Sequence, residues 1–145
     1  AFFGADRPGL SRAERLELAE GLIRRWGVFG ALPAESFLAA SDALSAFVAS
    51  RWPEVAWHRE LPLRRRLPDG SVLVGTADLV LETPDGLVVV DHKSFPGTTA
   101  ESLARAATHA GQLAAYGETV AEAWAKPLLS TFIHLPIGGI VVPVS

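Results

Sequence analysis

Two Pro-Asp-Gly triplets, Pro68-Asp69-Gly70 and Pro84-Asp85-Gly86, separate three runs rich in Val and Leu. Asp-Gly between such runs is a strong short-range hairpin signal, because glycine takes positive-φ turn positions without steric cost. The spacing predicts two consecutive hairpins, with strands over residues 55–67 and 71–82 and from Leu87 to Lys93. Within them, Val72–Leu81 and Leu87-Val88-Val89-Val90 are apolar on both faces, a pattern that suits a sheet covered on both sides.

The cover is expected from helices. Ser11-Arg12-Ala13-Glu14 reads as a capping box, and Leu16, Ala19, Leu22, Ile23 and Trp26 follow at helical spacing up to Gly27. Pro33 opens a second helix with a stripe of Phe37, Ala40, Leu44, Phe47 and Val48, which Pro53 ends. Residues 98–125 read as one long alanine-rich helix. Leu128–Leu135 reads as a fourth strand and Ile140–Val144 as a fifth, with Phe95–Thr99 as a loop. Gly138-Gly139 reads as a turn, since it lacks the lysine and context of a phosphate loop. The expected fold is α/β (α+β): a mixed sheet of four to five strands flanked by helices, in the order α-α-β-β-β-α-β with one more β.

The chain has 145 residues, which suits one domain, with a helical part over 1–53 and a strand-rich core over 54–145. Its net charge of −3 excludes nucleic-acid binding through bulk charge, so any such contact needs a local basic patch or a metal. The absence of cysteine excludes disulfides, zinc–thiolate sites and thiol nucleophiles, and fits a reducing compartment. No run is long enough for a membrane span. The chain opens Ala1-Phe2-Phe3, without Met, as the middle of a helix would, which suggests a piece of a longer protein.

Polar residues inside apolar strands require a reason, because an unpaired buried carboxylate is costly. Asp78 interrupts Gly75–Leu81, and Asp91-His92-Lys93 ends the third strand. Alternation sets Asp91 and Lys93 on one face and His92 on the other. If the second and third strands pair through Pro84-Asp85-Gly86, Asp78 and Asp91 come close together. Two such carboxylates repel unless a cation lies between them, and an all-oxygen site suits Mg²⁺ or Mn²⁺. On the long helix, Arg105, His109, Gln112 and Tyr116 share one face and form a polar stripe beside the acidic strand end. Glu60 either adds a third carboxylate or pairs with Arg64 or Arg66. His58 shares its face with Glu60 and reads as an ordinary strand histidine, and His134 has no evident partner. Arg64-Arg65-Arg66 is the only dense basic run; it either contacts phosphates or forms a solvated hairpin end, and alternation, which splits the three over two faces, favours the second.

Gly75-x-x-Asp78, Asp91-His92-Lys93 and Gln112-x-x-x-Tyr116, in that order, resemble the PD-(D/E)xK nuclease superfamily. They are most similar to its RecB-like branch, as in the C-terminal nuclease domains of AddA-type helicase–nucleases. Ile133-His134-Leu135-Pro136 is similar to that group's closing strand. The resemblance implies a restriction-endonuclease-like core and a metal-dependent deoxyribonuclease of recombination and double-strand-break repair, in the bacterial cytoplasm with the nucleoid. It implies Asp78, Asp91 and the His92 carbonyl as Mg²⁺ or Mn²⁺ ligands, with Glu60 at a position that some relatives use. Lys93 would activate water, and Gln112 and Tyr116, with Arg105 and His109 as further candidates, would contact DNA. An attached helicase and a partner subunit would feed single-stranded DNA to the site. The competing expectation is a DNA-binding module that keeps the fold without catalysis. One departure stands out: relatives carry an upstream metal-binding histidine in Gly-x-x-His, whereas no histidine precedes His58 here. Ala1–Asp6 resembles the segment after that histidine, so native upstream residues are expected to tighten Mn²⁺ binding.

Overall fold

A computed structural model describes residues 2–26, 33–93, 99–136 and 140–144. The elements are α1 (Phe2–Ala5), α2 (Arg12–Trp26), α3 (Ala34–Arg51), β1 (Ala56–Arg66), β2 (Val72–Glu82), β3 (Leu87–His92), α4 (Thr99–Thr108), α5 (Ala110–Trp124), β4 (Leu128–Leu135) and β5 (Ile140–Pro143). Gly27, Gly138-Gly139 and all but the last residue of Phe95–Thr99 lie outside the described residues. The strands form one mixed sheet in the order β1-β2-β3-β4-β5. Both hairpins are present: β1 pairs antiparallel with β2, and β2 with β3. β3 and β4 run parallel, and β5 returns antiparallel to β4. This is the expected restriction-endonuclease-like arrangement of a mixed sheet flanked by helices.

The predicted punctuation operates as physical chemistry requires. Ser11 N donates to Glu14 Oε2 at 2.7 Å, and Glu14 N donates to Ser11 Oγ at 3.2 Å, closing the capping box that starts α2. Gly70 and Gly86 carry positive φ at the two turns. At Gly86 a Cβ would stand 2.4 Å from the Pro127 carbonyl oxygen, so glycine is needed there for packing as well.

Both faces of the sheet are covered. Leu79, Leu81, Val88, Val90 and Phe132 pack with Leu44 and Val48 of α3 on one side. Val80, Leu87, Val89 and Ile133 pack with Ala106, Leu113 and Val120 on the other. Val88 and Val89 are both fully buried, which explains why β3 shows no polar alternation. Full burial of such a side chain contributes about 1.5–3 kcal/mol, so these strands anchor the fold.

The single helix expected over 98–125 is two helices. Thr108 Oγ1 donates to the Arg105 carbonyl, and His109 N donates to the Ala106 carbonyl at 3.0 Å, a tight turn that ends α4. α5 then starts after His109 at φ −95° and ψ −4°. The break lets Ala106 and the α5 residues Leu113 and Val120 reach one core from two helix segments.

Candidate active site at the fork of β2 and β3

The β2–β3 ladder runs from Glu82↔Leu87 to Leu79↔Val90 and stops there. The next residues are Asp78 and Asp91. Past this point β2 continues to Val72 with β1 alone, so the strands fork where the carboxylates stand. The fork is held by a side chain: His92 N donates to Asp78 Oδ2 at 2.8 Å.

The β2 alternation also breaks here. Leu79 and Leu81 belong to the α3-side core, whereas Ala77 and Val80 belong to the α5-side core. Across from Asp78, Glu60 has φ 52°, although Arg59↔Leu79 and Leu61↔Ala77 keep an unbroken register on either side. A left-handed non-glycine residue in a strand costs about 1–3 kcal/mol and is sustained only when its surroundings over-determine it. Strain, lost alternation and strand divergence thus coincide at one level of the sheet.

Asp91 continues the face of Val89, and Lys93 follows just past the strand. Lys93 Nζ lies 3.0 Å from Asp91 Oδ2, with side-chain exposures of 28% and 13%. Asp91 Oδ2 is buried, and the Lys93 ammonium is the cation paired with it. Burial pushes the Asp91 carboxyl above the usual range; the neighbouring Lys93 ammonium opposes this, and the negative charge of Asp78 adds to the rise. The arrangement is two neighbouring carboxylates with a single ammonium between them and solvent.

The other face of the same strand end differs. His92 and His134 are cross-strand neighbours in the parallel β3–β4 pair, and their Nδ1 atoms are 2.9 Å apart. One Nδ1–H donates to the other ring's bare Nδ1, which requires that the accepting ring be neutral. Burial, with the charge of His134 next, lowers the His92 pKa to about 3, and burial lowers that of His134 to about 4. The Phe3 ring packs against both, with centroids 4.9 Å from His92 and 5.0 Å from His134. The partner of His134, missed in the sequence, comes from parallel pairing over a long loop closure. Its only sequence signal was that both histidines end apolar strand runs.

The remaining candidates separate. Gln112 Nε2 donates to Tyr116 Oη at 3.0 Å on α5, and Tyr116 Oη lies over Gly75, where a Cβ would stand 2.2 Å from it. Gly75 and the Gln112–Tyr116 pair therefore form one unit, three residues along β2 from Asp78. Arg105 is exposed on α4, on the far side of the helix break, so the four-residue stripe does not run down one continuous helix. His109 caps α5. The Glu60 side chain lies over Gly4 of α1, where a Cβ would stand 2.2 Å from Oε1. No ion pair to Arg64 or Arg66 is present among the described residues. His58 is structural: Nε2 bonds Glu82 Oε2 at 2.9 Å, Lys126 also pairs with Glu82, and the His58 ring stands edge-on to Trp124.

Among the described residues, no group of three or more His, Asp or Glu could cage an ion. That fits poorly with a closed all-protein metal site. It fits a small hard cation such as Mg²⁺, which is held by one or two carboxylates and keeps most of its waters. Asp91 and Asp78 stand together with one ammonium beside them, and that excess of negative charge is the observation that makes the fit.

Mixed α/β topology with acidic residues and a lysine at a strand fork defines the class: a restriction-endonuclease-like domain with an acidic cluster at the fork. A family profile describing the PD-(D/E)XK nuclease superfamily matches residues 4–140, and the chain belongs to that superfamily. Its members are nucleases that generally use divalent metal ions. No curated protein matches the chain at a significant level.

Proposed function

We propose that this chain is a Mg²⁺- or Mn²⁺-dependent deoxyribonuclease domain that hydrolyses phosphodiester bonds at the β2–β3 fork. The observation that carries this reading is the pair of neighbouring carboxylates, Asp78 and the buried Asp91, with a single ammonium, Lys93 Nζ, against Asp91 Oδ2. In the reading, Asp78, Asp91 and the main-chain carbonyl of His92 hold the ion. When bound, the ion neutralises phosphate charge and lowers the pKa of its water. Asp91 and Asp78 fix its place. Lys93 orients the attacking water and stabilises charge developing on the phosphoryl oxygens, an effect strengthened in a partly dry cleft. Gln112 and Tyr116 orient the neighbouring phosphate, with Tyr116 positioned by the missing side chain of Gly75. No protein nucleophile is needed.

The finer assignment follows the RecB-like, AddA-type resemblance. It places the domain beside a helicase and a partner subunit in recombination and double-strand-break repair, receiving a single-stranded end in the bacterial cytoplasm. Among the described residues, no helix is long and apolar enough to cross a membrane.

The test uses end-labelled single-stranded DNA, with and without Mn²⁺, on the native chain and Asp91→Ala. Cleavage that needs both the metal and Asp91 is the expected result. Cleavage by the variant would place the chemistry elsewhere.

A further inference from the structure

Glu60 is the strained residue of the sheet, and the proposed reaction does not use it. Two non-glycine residues carry positive φ among the described ones, Glu60 and Ala125. Ala125 is the left-handed cap that ends α5, an ordinary place for such a conformation. Glu60 stands in mid-strand, where the pairing does not demand it, because Arg59↔Leu79 and Leu61↔Ala77 keep register on either side.

A regularly alternating strand keeps residues of one parity on one face. Before Glu60, His58 meets Trp124 of α5, and Trp57 packs in the α3-side core. Past Glu60 the parity is exchanged, since Leu61 and Leu63 join the α5-side core. β2 changes in step: Val80 lies on the α5 side before the fork, and Ala77 and Leu73 lie there beyond it. A left-handed φ differs from the extended value by roughly 180°, which turns the following side chains over without inserting a residue.

The exchange decides which part of β2 meets α5. Gly75 shares its parity with Leu73 and Ala77, so it faces α5, where the Tyr116 hydroxyl fills the space of its missing side chain. Regular alternation from Val80 would send Val74 and Thr76 to α5 and turn Gly75 away. The same α5-side face carries Val89 and, continuing it, Asp91.

A strained conformation persists only where its surroundings over-determine it. The Glu60 side chain is seated over the buried Gly4 of α1, where a Cβ would stand 2.2 Å from Oε1 and 2.8 Å from Cγ. Just past α1, Arg15 donates to both Asp6 carboxylate oxygens at 2.9 Å, and Ser41 Oγ donates to Asp6 at 2.6 Å, anchoring the helix.

We propose that Glu60 is a positioning residue of the acidic centre, acting through its left-handed backbone rather than through its carboxylate. It turns β1 and β2 over at the level of Asp78, and so brings the Gly75–Tyr116–Gln112 unit to the face that carries Asp91. The proposal rests on the nuclease reading and adds what places the phosphate-orienting pair against the carboxylates.

The experiment compares the native chain with Glu60→Gly, Glu60→Ala and Glu60→Val. All three lack the carboxylate but differ at positive φ: Gly adopts it freely, Ala at a cost, and β-branched Val least of all. The readouts are metal-free melting temperature, the ring resonances of Tyr116, which is the chain's one tyrosine, and cleavage of labelled single-stranded DNA with Mn²⁺. Glu60→Gly should melt above Glu60→Ala, the reverse of the order at an extended strand position. It should also keep the native Tyr116 resonances and a near-native kcat/KM. Glu60→Val should shift the resonances and lower kcat/KM about 10²-fold, the scale of an ångström-level misplacement.

Native resonances and cleavage in Glu60→Val would overturn the proposal. Glu60→Gly with native resonances and no cleavage would do the same, assigning the role to the carboxylate. If Glu60→Val does not fold, the Gly and Ala pair decides: Ala melting above Gly would overturn the left-handed role, and Gly above Ala supports it. A native chain that fails to cleave with Mn²⁺ would remove the nuclease reading, while melting and resonances would still decide whether Glu60 turns the strands.

Discussion

Asp91 and His92 are adjacent, yet they sit in opposite chemical situations. On the His92 side, the buried polar atoms find partners within the chain: His92 and His134 share a proton at 2.9 Å and Phe3 packs against both rings. On the Asp91 side, a buried carboxylate is paired with Lys93, a second carboxylate adds repulsion, and the backbone opposite is strained at Glu60. Like charges at close range cost free energy unless a cation offsets them. The difference separates a self-satisfied pair from a cluster with an excess of negative charge. The distinction could not rest on residue type, since histidines are common metal ligands and carboxylates are common in salt bridges.

The strongest break in this comparison is Asp91→Ala. It should lower metal-dependent cleavage by at least about 10²–10³-fold. The metal-free protein should melt at the same or a higher temperature, because the substitution removes a buried carboxylate that Asp78 repels. A clear drop in metal-free stability would instead make Asp91 a structural ion-pair member with Lys93. Lys93→Ala comes next, with kcat falling about 10²-fold while Mn²⁺ affinity in calorimetry stays near native. Equal losses in both would contradict its role at the attacking water.

His134→Leu should show the reverse pattern. It leaves His92 Nδ1 buried without a partner, so unfolding stability should fall by about 1–3 kcal/mol in urea titrations. Cleavage per folded molecule should be retained, and losing it would tie the histidine pair to the chemistry. The smallest effect concerns acid stability far from the fork. Burial alone would raise the Asp6 pKa, but hydrogen bonds from Arg15 and Ser41 and the Arg15 charge outweigh it and hold it below the usual value. The Asp6 contribution is therefore complete above the unfolded value of 3.8 and is lost as pH falls through the lowered folded value. Denaturant midpoints of the native chain should approach those of Asp6→Asn as pH drops below 3.8. A gap that stays constant through this range would refute the linkage.

Much of the acidic centre was legible in the sequence because its spacing is local. Two Asp-Gly turns define the antiparallel partners of β2, and strand alternation then sets Asp78 near Asp91 and Lys93 beside it. The capping box and both α2 and α3 stripes were readable for the same reason. The unbroken helix over 98–125 was not a correct reading. Gly111 is the one local breaker near His109 and is weak inside alanine-rich sequence, so the break shows only where two segments dock onto one core. Gly75 was quoted for its place in a motif, while its physical role, admitting Tyr116 to the strand surface, depends on how α5 crosses β2.

Sequence by itself determined the hairpins, the double cover of the sheet and the placing of two carboxylates and a lysine at one strand end. These rest on periodicities of two and 3.6 residues and on turn chemistry, which act between near neighbours. Only the tertiary structure decided that β3 lies parallel to β4, so that His92 meets His134. Only it decided that β2 leaves β3 at Asp78, that Glu60 is strained opposite, and that Arg64 and Arg66 face outward while Arg65 is paired. Those outcomes depend on contacts between segments far apart in the chain, which are chosen by burial of the whole sheet.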